Sequence, residues 1–579
     1  MQFFGLLPEK LEHSEKHQQT ADSNNIGVPI ETKEESIPFN AEPYDDLEEE
    51  TIYTITNNLY SLELSNAHGG TIKSLTITEK DINGEIKYTG SYDGAGYSAQ
   101  DFNNNQLITL RPLQNDYIGY LAVQDRDAWS PIPIRLSSLY HDGKQTSRNS
   151  FTVDGDSLVL VLQSEQIEKT IIFYKDSYVI SNNISIKDPS LLNKNIWIGQ
   201  SGLGPTEKKL YDEAMYGCGL AWSDDELWYE SYTDADGAPD AIEGTFDWTA
   251  IRTKYFISTF IMNDGPSKGI VVPSNNVDDN EYEHFPRFNM FMRLGGAKTS
   301  FLSYMGPLDI THLEHPLIKE FKLRDNMNLG WWIMRPISRG ILWVLNTLHT
   351  TLPWPFNNYG IILILFAFLV RIITGPLTRK SYESNQKLQL IQPKMQKIKD
   401  KYKNDSQRMN QELIKLYRDE GVNPVGGCLP MLLQMPLLVS LFTVFRLTIE
   451  FRGQNLIGSS FHWINDLSSP DVIPYTDMLG LNHIPLLSYF YGHGIGLLPL
   501  INGVVMILTM RLSSKTMSPE QKPTMFIMQG VFMLLFNTFP AGLNLYYTTY
   551  NILSYVQQKN VKSSLPSSLA QNTANKTKS

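Results

Sequence analysis

One arginine stands inside a long apolar segment, and it is the first residue whose chemistry needs an explanation. Arg371 interrupts the run FAFLVRIITGP, residues 366–376. A charged side chain at the centre of a membrane-spanning helix costs roughly 2.5–3.5 kcal/mol, so such residues usually face a bundle interior or a wet cavity and serve a function. The alternative is that Arg371 snorkels, because the end of the span is about six residues, or roughly 9 Å, away.

Polar side chains recur in the apolar segments that follow Arg371. These residues are Gln434, Asn502, Gln529, Asn537, Thr538, Asn544, Thr548 and Asn551. Each side chain should face the bundle interior or water, where hydrogen bonding between helices is the simpler role for any single one. Together with Arg371 they indicate a hydrophilic cavity within the membrane.

Enzymatic chemistry has no comparable signature in this chain. The sequence contains no Walker-type loop, no G-x-S-x-G and no H-E-x-x-H motif, and no Cys/His cluster has the spacing of a metal site. Its two cysteines, Cys218 and Cys428, lie in a polar and an apolar part respectively. The net charge of −12 comes mostly from the N-terminal part and argues against a nucleic-acid substrate. We therefore expect a non-enzymatic protein without a metal or other cofactor.

The polar N-terminal part divides into a tether and a β-rich domain. Residues 1–50 are rich in Glu, Ser, Asn and Pro, which predicts a disordered segment. Residues 51–325 alternate apolar and polar positions, as in residues 51–64, 157–163, 169–174 and 178–186. Many short strands separated by polar turns favour one large antiparallel sandwich.

The remainder of the chain reads as membrane-associated. Residues 330–350 form an amphipathic helix with Trp331, Trp332 and Trp343, which is typical of a helix lying in the membrane interface, although an ordinary surface helix of the sandwich is the alternative. Residues 355–560 carry a helical core. Five candidate spans occupy residues 359–375, 425–445, 494–512, 525–539 and 542–556.

Charge asymmetry predicts the orientation of these spans. Residues 378–420 are rich in basic residues and read as two helices with a turn near Asn404. The lysines of interest are Lys394, Lys397, Lys399, Lys401 and Lys403. By the positive-inside rule this helical hairpin is cytoplasmic, so the β-rich domain lies outside. Its excess positive charge should attract anionic lipids or an RNA-bearing partner.

That orientation requires a signal or anchor before the β-rich domain. The apolar run Phe3–Leu7 is too short to serve as either. We therefore expect a missing N-terminal anchor helix. Residues 561–579 are Ser- and Asn-rich and only mildly basic, which predicts a disordered cytoplasmic tail.

Several motifs in this order resemble one family. They are VRIITGPLTRK (residues 370–380), PKMQKIKDKY (393–402), NPVGGCLPMLLQMPLL (423–438) and FPAGLNLYY (539–547). The chain resembles the YidC/Oxa1/Alb3 membrane protein insertases over residues 51–560. The large domain before the spans is similar to that of the Gram-negative YidC type.

This resemblance implies a fold and an activity. The fold is a multidomain membrane protein, with a periplasmic antiparallel β-supersandwich and an α-helical five-span transmembrane core bearing a cytoplasmic helical hairpin. The activity is insertion and folding of inner-membrane proteins, alone or with the Sec translocon, through a hydrophilic groove and without nucleotide hydrolysis. The groove arginine of the family corresponds to Arg371, but Ala367 stands where one relative has threonine.

The same resemblance implies partners and further groove residues. Clients are nascent membrane proteins, and ribosome contact through the short tail should be weak. The expected location is the bacterial inner membrane, with residues 51–325 in the periplasm. Besides Arg371, the predicted groove residues are Gln434, Asn537, Asn544, Tyr546, Tyr547, Thr548 and Asn551.

Two other functions remain open at this stage. One is a polytopic transporter or receptor whose sandwich binds a sugar, with His68 as a candidate contact, although the internal repeats of transporters are not evident. The other is a structural assembly factor for the Sec machinery, with the sandwich as its docking surface.

Overall fold

The structure is a computed structural model that describes most of the chain from Glu50 onward. It covers residues 50–92, 102–112, 117–125, 128–207, 215–231, 239–273, 288–327, 329–330, 333–422, 429–456, 464, 466–474, 494–513 and 521–576. Four features predicted from the sequence lie outside these residues: nearly all of the tether (1–49), Trp331, Trp332 and the first part of the NPVGGC motif (423–428). The described residues form two compact units that divide between Asn328 and Leu329.

The first unit is built almost entirely from β-strands. In chain order they are β1 (Ile52–Thr56), β2 (Tyr60–Ser65), β3 (Thr71–Ile77), β4 (Thr89–Tyr92), β5 (Phe102–Leu107), β6 (Thr109–Leu110), β7 (Ile118–Asp125), β8 (Ala128–Pro131), β9 (Ser138–His141), β10 (Lys144–Gln145), β11 (Ser150–Thr152), β12 (Ser157–Gln163), β13 (Ile167–Tyr174), β14 (Val179–Ile186), β15 (Ile196–Gln200), β16 (Cys218–Ser223), β17 (Glu226–Glu230), β18 (Ile242–Phe246), β19 (Trp248–Arg252), β20 (Phe256–Met262), β21 (Ser267–Pro273), β22 (Phe288–Arg293) and β23 (Lys298–Pro307). Two short helices, α1 (Pro189–Leu192) and α2 (Ile310–Leu313), interrupt or follow them.

Most of these strands belong to two large sheets. One has eleven strands in the order β11-β1-β2-β3-β7-β15-β22-β21-β18, with β6 beside β3 and β8 beside β7. The other has ten strands in the order β10-β9-β12-β13-β14-β23-β20-β19-β16-β17. Pairing is antiparallel throughout except between β1 and β11. The β-rich domain predicted from the sequence is therefore confirmed.

Alternating burial explains why the strands assemble in layers. Every second residue of β12 and β13 is buried, so each strand presents one apolar face to the interior. The two sheets meet closely at Gly219 of β16, where a Cβ atom would lie 2.6 Å from Val271 of β21. Only a residue without a side chain permits that approach between the sheets.

The first predicted strand is in fact two strands. Residues 51–64 alternate as a single strand would, but the chain turns at Asn57. The Asn57 Oδ1 accepts hydrogen bonds from the backbone N–H of Leu59 at 2.9 Å and of Tyr60 at 2.8 Å. An asparagine side chain that bonds to the following backbone in this way stabilises a turn, which the alternation of apolar residues did not reveal.

The second unit is mainly helical. Its helices are α3 (Arg335–Thr351), α4 (Tyr359–Lys401), α5 (Ser406–Asp419), α6 (Leu429–Leu447), α7 (Leu497–Ser513), α8 (Gln521–Phe536) and α9 (Ala541–Lys576). A small antiparallel pair, β24 (Val472–Pro474) with β25 (Gly494–Gly496), precedes α7. The helix α9 packs against both α4 and α7.

Two helices run further than the sequence predicted. The candidate span 359–375 and the first helix of the hairpin form the single helix α4, which contains Pro376 and Pro393. Residues 561–576 continue α9 instead of forming a disordered tail. Extending a helix that has already formed adds one hydrogen bond per residue fixed, so polar or proline-containing sequence need not end it.

The amphipathic helix α3 has one buried face. Its buried residues are Ser338, Ile341, Leu342 and Leu345, so the buried face includes one polar side chain. Ser338 is fully buried, as are Ser440 and Thr443 of α6, the helix that packs against α3. Small residues on both helices allow their backbones to approach closely.

Hydropathy identifies one helix long enough to cross a membrane among the described residues. It is Tyr359–Ser381, the first part of α4. Two shorter apolar helices, Gln434–Leu447 and Leu497–Arg511, fall below that length. The five spans predicted from the sequence are therefore not reproduced by this criterion in the part of the chain that the structure describes.

Candidate functional site in the helical unit

The Arg371 side chain is buried between α4 and α9. Only 7% of the residue is exposed. Its Nη1 donates a hydrogen bond to the hydroxyl of Tyr550 at 3.2 Å, and its Cζ lies 5.2 Å from the centre of the Tyr550 ring. Over the described residues no carboxylate lies within ion-pair distance of Arg371, so its charge is balanced only by neutral oxygen and an aromatic face.

A short chain of hydrogen bonds continues from Tyr550 back to α4. Its hydroxyl lies 3.3 Å from the Thr374 hydroxyl, which donates to the backbone carbonyl of Val370 at 2.8 Å. We call Arg371, Thr374 and Tyr550 the Arg371 cluster. The cluster joins two helices whose contributing residues are separated by 179 positions in sequence.

Polar residues continue along the same side of α4 toward the basic segment. Spaced three or four apart, they share one helix face. They are Arg371, Thr374, Thr378 and Ser381, all at least half-buried. On α9, Gln557 Nε2 donates to the carbonyl of Gly375 at 3.5 Å, and the Gln557 Oε1 is buried without a partner among the described residues. A polar seam therefore lies between α4 and α9.

Two predicted groove residues, Tyr546 and Tyr547, form aromatic packing next to the cluster. Tyr546 is 1% exposed and stacks on Tyr550 with ring centres 6.0 Å apart. It also contacts Phe366 of α4 at 5.8 Å. Tyr547 meets Tyr546 edge to face at 5.1 Å, and its hydroxyl is buried without a hydrogen-bond partner in the described part of the chain.

Two further predicted residues lie where α9 meets α7. The Asn551 Nδ2 donates to Asn502 Oδ1 at 2.8 Å. Asn502 is 1% exposed, and its own Nδ2 has no partner among the described residues. The Thr548 hydroxyl is likewise buried and unpaired within that part of the chain. The α7–α9 contact therefore contains polar side chains, and some of their hydrogen-bonding groups have no partner among the described residues.

Asn537 and Asn544 hold local structure instead of joining the Arg371 cluster. Asn537 accepts from the backbone N–H of Gly496 at 2.7 Å and donates to the carbonyl of Gly494, which fastens the end of α8 to β25. Asn544 Nδ2 donates to the carbonyls of Phe536 and Phe539, across the turn between α8 and α9. Asn544 thus satisfies carbonyls at the end of α8 that have no partner within the helix. The groove-lining role of both residues stays a prediction.

Gln434 lies on α6 and is half-buried. Its side chain makes no hydrogen bond to the Arg371 cluster within the described residues. Its predicted place in a common groove with Arg371 therefore stays a prediction.

The predicted lysines lie in the last part of α4 and, for Lys403, in the turn at residues 402–405 that connects α4 with α5. Lys394, Lys397, Lys401 and Lys403 are exposed, and Lys399 is half-buried. Lys394 pairs with Glu420 at 2.5 Å, which links the last part of α4 to the C-terminal end of α5. Ile391 of α4 is buried and Leu416 of α5 is half-buried, and the two helices are in contact. Basic charge is thus displayed around the tip of a helical hairpin.

Sequence reasoning missed two members of the Arg371 cluster. Tyr550 lies four residues after Tyr546 in the segment YYTTY, so the two rings share a helix face. That spacing is the signal that could have identified it. Thr374 lies three residues after Arg371 on the same helix and could have been found in the same way.

Metal or disulfide chemistry finds no support in the described residues. In that part of the chain no three His, Cys, Asp or Glu side chains converge as metal ligands do. Cys218 is buried in β16, and Cys428 lies outside the described residues.

Two family profiles match the chain in succession. The family described as YidC periplasmic domain matches residues 136–344. The family described as 60Kd inner membrane protein matches residues 352–568. The family to which these profiles belong is one of inner-membrane proteins with a periplasmic domain.

Individual relatives agree with these profiles. The membrane protein insertase YidC of Chlorobaculum parvum is 31% identical over 528 residues, which are 88% of this chain and 82% of that protein. The membrane protein insertase YidC of Chlorobium phaeovibrioides is 34% identical over 414 residues, 69% of this chain and 67% of that protein. A crystal structure of an active YidC insertase with its first transmembrane domain resolved is 18% identical, with a TM-score of 0.34, and covers 88% of this chain and 94% of that one. The identity and coverage of the two insertase relatives show that this chain belongs to the YidC family of membrane protein insertases.

Proposed function

We propose that this protein inserts nascent membrane proteins by drawing a polar client segment to Arg371. The main support for this proposal is a buried arginine that has no carboxylate partner among the described residues and lies on a helix apolar enough to span a membrane. A cation in low dielectric attracts an acidic or polar client tail and shortens the apolar distance that the tail must cross. The YidC insertases to which this chain is related are not enzymes, and no reaction is needed here.

The polar residues near Arg371 extend this proposal to a groove. The α4–α9 seam and the Asn502–Asn551 pair provide neutral hydrogen-bonding groups on either side of α9. A hydrated client tail can exchange its water for such groups as it enters. Burial of the client's apolar helix in lipid then supplies the driving force.

The orientation proposed for the chain follows its charge distribution. We propose five spans, with the β-rich unit in the periplasm and the α4–α5 hairpin in the cytoplasm. Basic residues, including the exposed lysines, concentrate on that hairpin, as the positive-inside rule requires of cytoplasmic segments.

The same lysines suit partners with negative charge. We propose anionic phospholipids and, weakly, the ribosome as contacts of the hairpin, each basic residue near an anionic surface contributing about 1 kcal/mol. Cooperation with the Sec translocon is also proposed. Selective stalling of Sec-dependent clients when this protein is depleted would favour a role as a Sec assembly factor.

Site-specific crosslinking tests the groove. A photoreactive residue at position 371 or 547 should give adducts with a stalled nascent membrane protein. The matched control is position 372, next to Arg371 on α4 but 72% exposed on the outer surface of the helical unit. Adducts at 371 and 547 no stronger than those at 372 would refute the proposal.

The alternative function as a sugar-binding transporter or receptor is not supported. The relatives that match most of this chain are named membrane protein insertases.

A further inference from the structure

We infer that Tyr550 is a positioning residue that holds Arg371 so that one edge of its guanidinium is kept for a client carboxylate. This inference rests on the proposed function and adds a specific residue and a ligand geometry to it. The three guanidinium nitrogens of Arg371 differ in their hydrogen-bond partners.

Only one of these nitrogens has a partner. Nη1 donates to the Tyr550 hydroxyl at 3.2 Å. Nε and Nη2 are buried and have no hydrogen-bond partner in the described part of the chain. These two atoms form one side of the planar guanidinium, and their N–H bonds are parallel. That side is the fork that binds both oxygens of a carboxylate.

The direction of each hydrogen bond can be assigned from donors and acceptors. Arg371 can only donate, so the Tyr550 oxygen accepts from it. The Thr374 hydroxyl donates to the Val370 carbonyl at 2.8 Å, so it can receive the Tyr550 proton at 3.3 Å. The Tyr550 hydrogen therefore points to Thr374, and a lone pair of its oxygen faces Arg371.

Packing fixes the ring that carries this hydroxyl. Tyr546 stacks on the Tyr550 ring, and the Arg371 Cζ lies 5.2 Å from the ring centre. Ala367, one turn before Arg371 on α4, has no polar atom to offer. Among the described residues, Tyr550 is thus the side chain that orients the guanidinium.

Access to the free edge has a structural condition. Nε and Nη2 are shielded within the helical unit, so a client that uses them must part the helices around Arg371. A carboxylate that reaches them gains two charge-assisted hydrogen bonds, whereas an amide offers a single neutral oxygen. The preference for an acidic tail should therefore depend on how Arg371 is held.

The test uses the full chain in proteoliposomes and two single-span clients that differ only in one tail residue, Asp or Asn. Insertion is measured by protection of the client tail from protease. Tyr550→Phe keeps the ring and removes the acceptor, and Tyr555→Phe is the matched control, a half-buried tyrosine on the same helix. We expect Tyr550→Phe to lower insertion of the Asp client roughly three- to ten-fold and to spare the Asn client.

Two variants of Thr374 provide a second, independent test. Thr374→Val removes the group that orients the Tyr550 hydroxyl, whereas Thr374→Ser keeps it. We expect the valine variant to lose part of the Asp preference and the serine variant to retain it. Equal loss for both clients in Tyr550→Phe, an unchanged Asp-to-Asn ratio, or equal behaviour of the two Thr374 variants would overturn the inference.

Arg371→Ala separates this inference from the proposed function. If Arg371→Ala leaves both clients unaffected, the proposed function itself fails. If Arg371→Ala abolishes the Asp preference while Tyr550→Phe does not, only the positioning role of Tyr550 fails.

Discussion

At the scale of single residues, buried charges occur in two different settings. In the β-rich unit, Lys87 bonds to Glu79 at 3.0 Å and to Asp309 at 2.8 Å. His312 bonds to Glu79 at 3.0 Å. Each carboxylate thus has a cationic partner, as the cost of burying a charge demands. At Arg371, by contrast, Nε and Nη2 are buried with no hydrogen-bond partner among the described residues.

Paired charges make the stability of the β-rich unit depend on pH. Burial alone would raise the pKa of Asp309, but Lys87 and His312 lower it below its ordinary value. Burial likewise opposes the shift of Glu79, whose pKa is lowered by His312 and Lys87. A carboxylate with a lowered pKa stabilises the fold above its unfolded pKa of about 4 and loses that contribution as the pH falls.

Asp309→Asn tests this network. We expect the variant to lose about 3 kcal/mol of unfolding free energy at pH 7, because the half-buried Lys87 keeps its charge with one carboxylate partner fewer. Its stability should also fall less than that of the wild type between pH 5 and about pH 2. Denaturant unfolding of the full chain in detergent, followed by tryptophan fluorescence, measures both.

The control for this experiment is Asp154→Asn, which removes an exposed carboxylate from the same unit. Its free energy of unfolding should equal that of the wild type at pH 7 and between pH 5 and about pH 2. Parallel pH dependence in Asp309→Asn and the wild type would contradict the assigned role of the network.

At the scale of helices, contacts depend on small and polar residues. Ser338 of α3 and Ser440 and Thr443 of α6 are all buried. The Asn502–Asn551 bond connects α7 with α9. Apolar surface cannot drive helices together in lipid, so close packing and hydrogen bonds of this kind determine which helices meet.

Ser338→Leu is the corresponding prediction. A leucine at a fully buried contact forces α3 and α6 apart and should cost about 2 kcal/mol of stability. Thr350→Leu, at an exposed position on the same helix, should cost almost nothing. Resistance to unfolding by SDS, measured for both variants, compares them directly. Equal resistance would show that α3 does not pack as described.

At the scale of the whole molecule, charge and hydropathy divide the chain into two parts. The β-rich unit carries most of the acidic residues, whereas the helical unit contains the long apolar helices and the basic hairpin. This asymmetry underlies the proposed orientation across the inner membrane.

Single-cysteine labelling tests that orientation in a Cys218→Ser, Cys428→Ser background. Asp154→Cys should react with a membrane-impermeant maleimide once the outer membrane is opened. Asn404→Cys, at the tip of the hairpin, should react only after the inner membrane is permeabilised. Labelling in the reverse order would invert the proposed topology.

Several features followed from local sequence. Alternating residues in β12, β13 and β14 identified strands, and a single charge in an apolar run identified Arg371. These signals are local because burial of every second residue, or the cost of one charge, is visible in a few neighbours. The full extent of α4 was not predictable in this way, since Pro376 and Pro393 are residues that usually end a helix.

The sequence by itself determined the family, the division into a β-rich and a helical part, and the arginine on which the proposed function depends. Only the tertiary structure decided what surrounds that arginine. Tyr550 is 179 residues away, and its contact with Arg371 arises from the packing of α9 against α4. Likewise, Asn537 bonds to the backbone of β25, and Asn544 bonds to the backbone of the turn between α8 and α9. Contacts between distant segments depend on the packing of whole helices, which no local pattern of residues encodes.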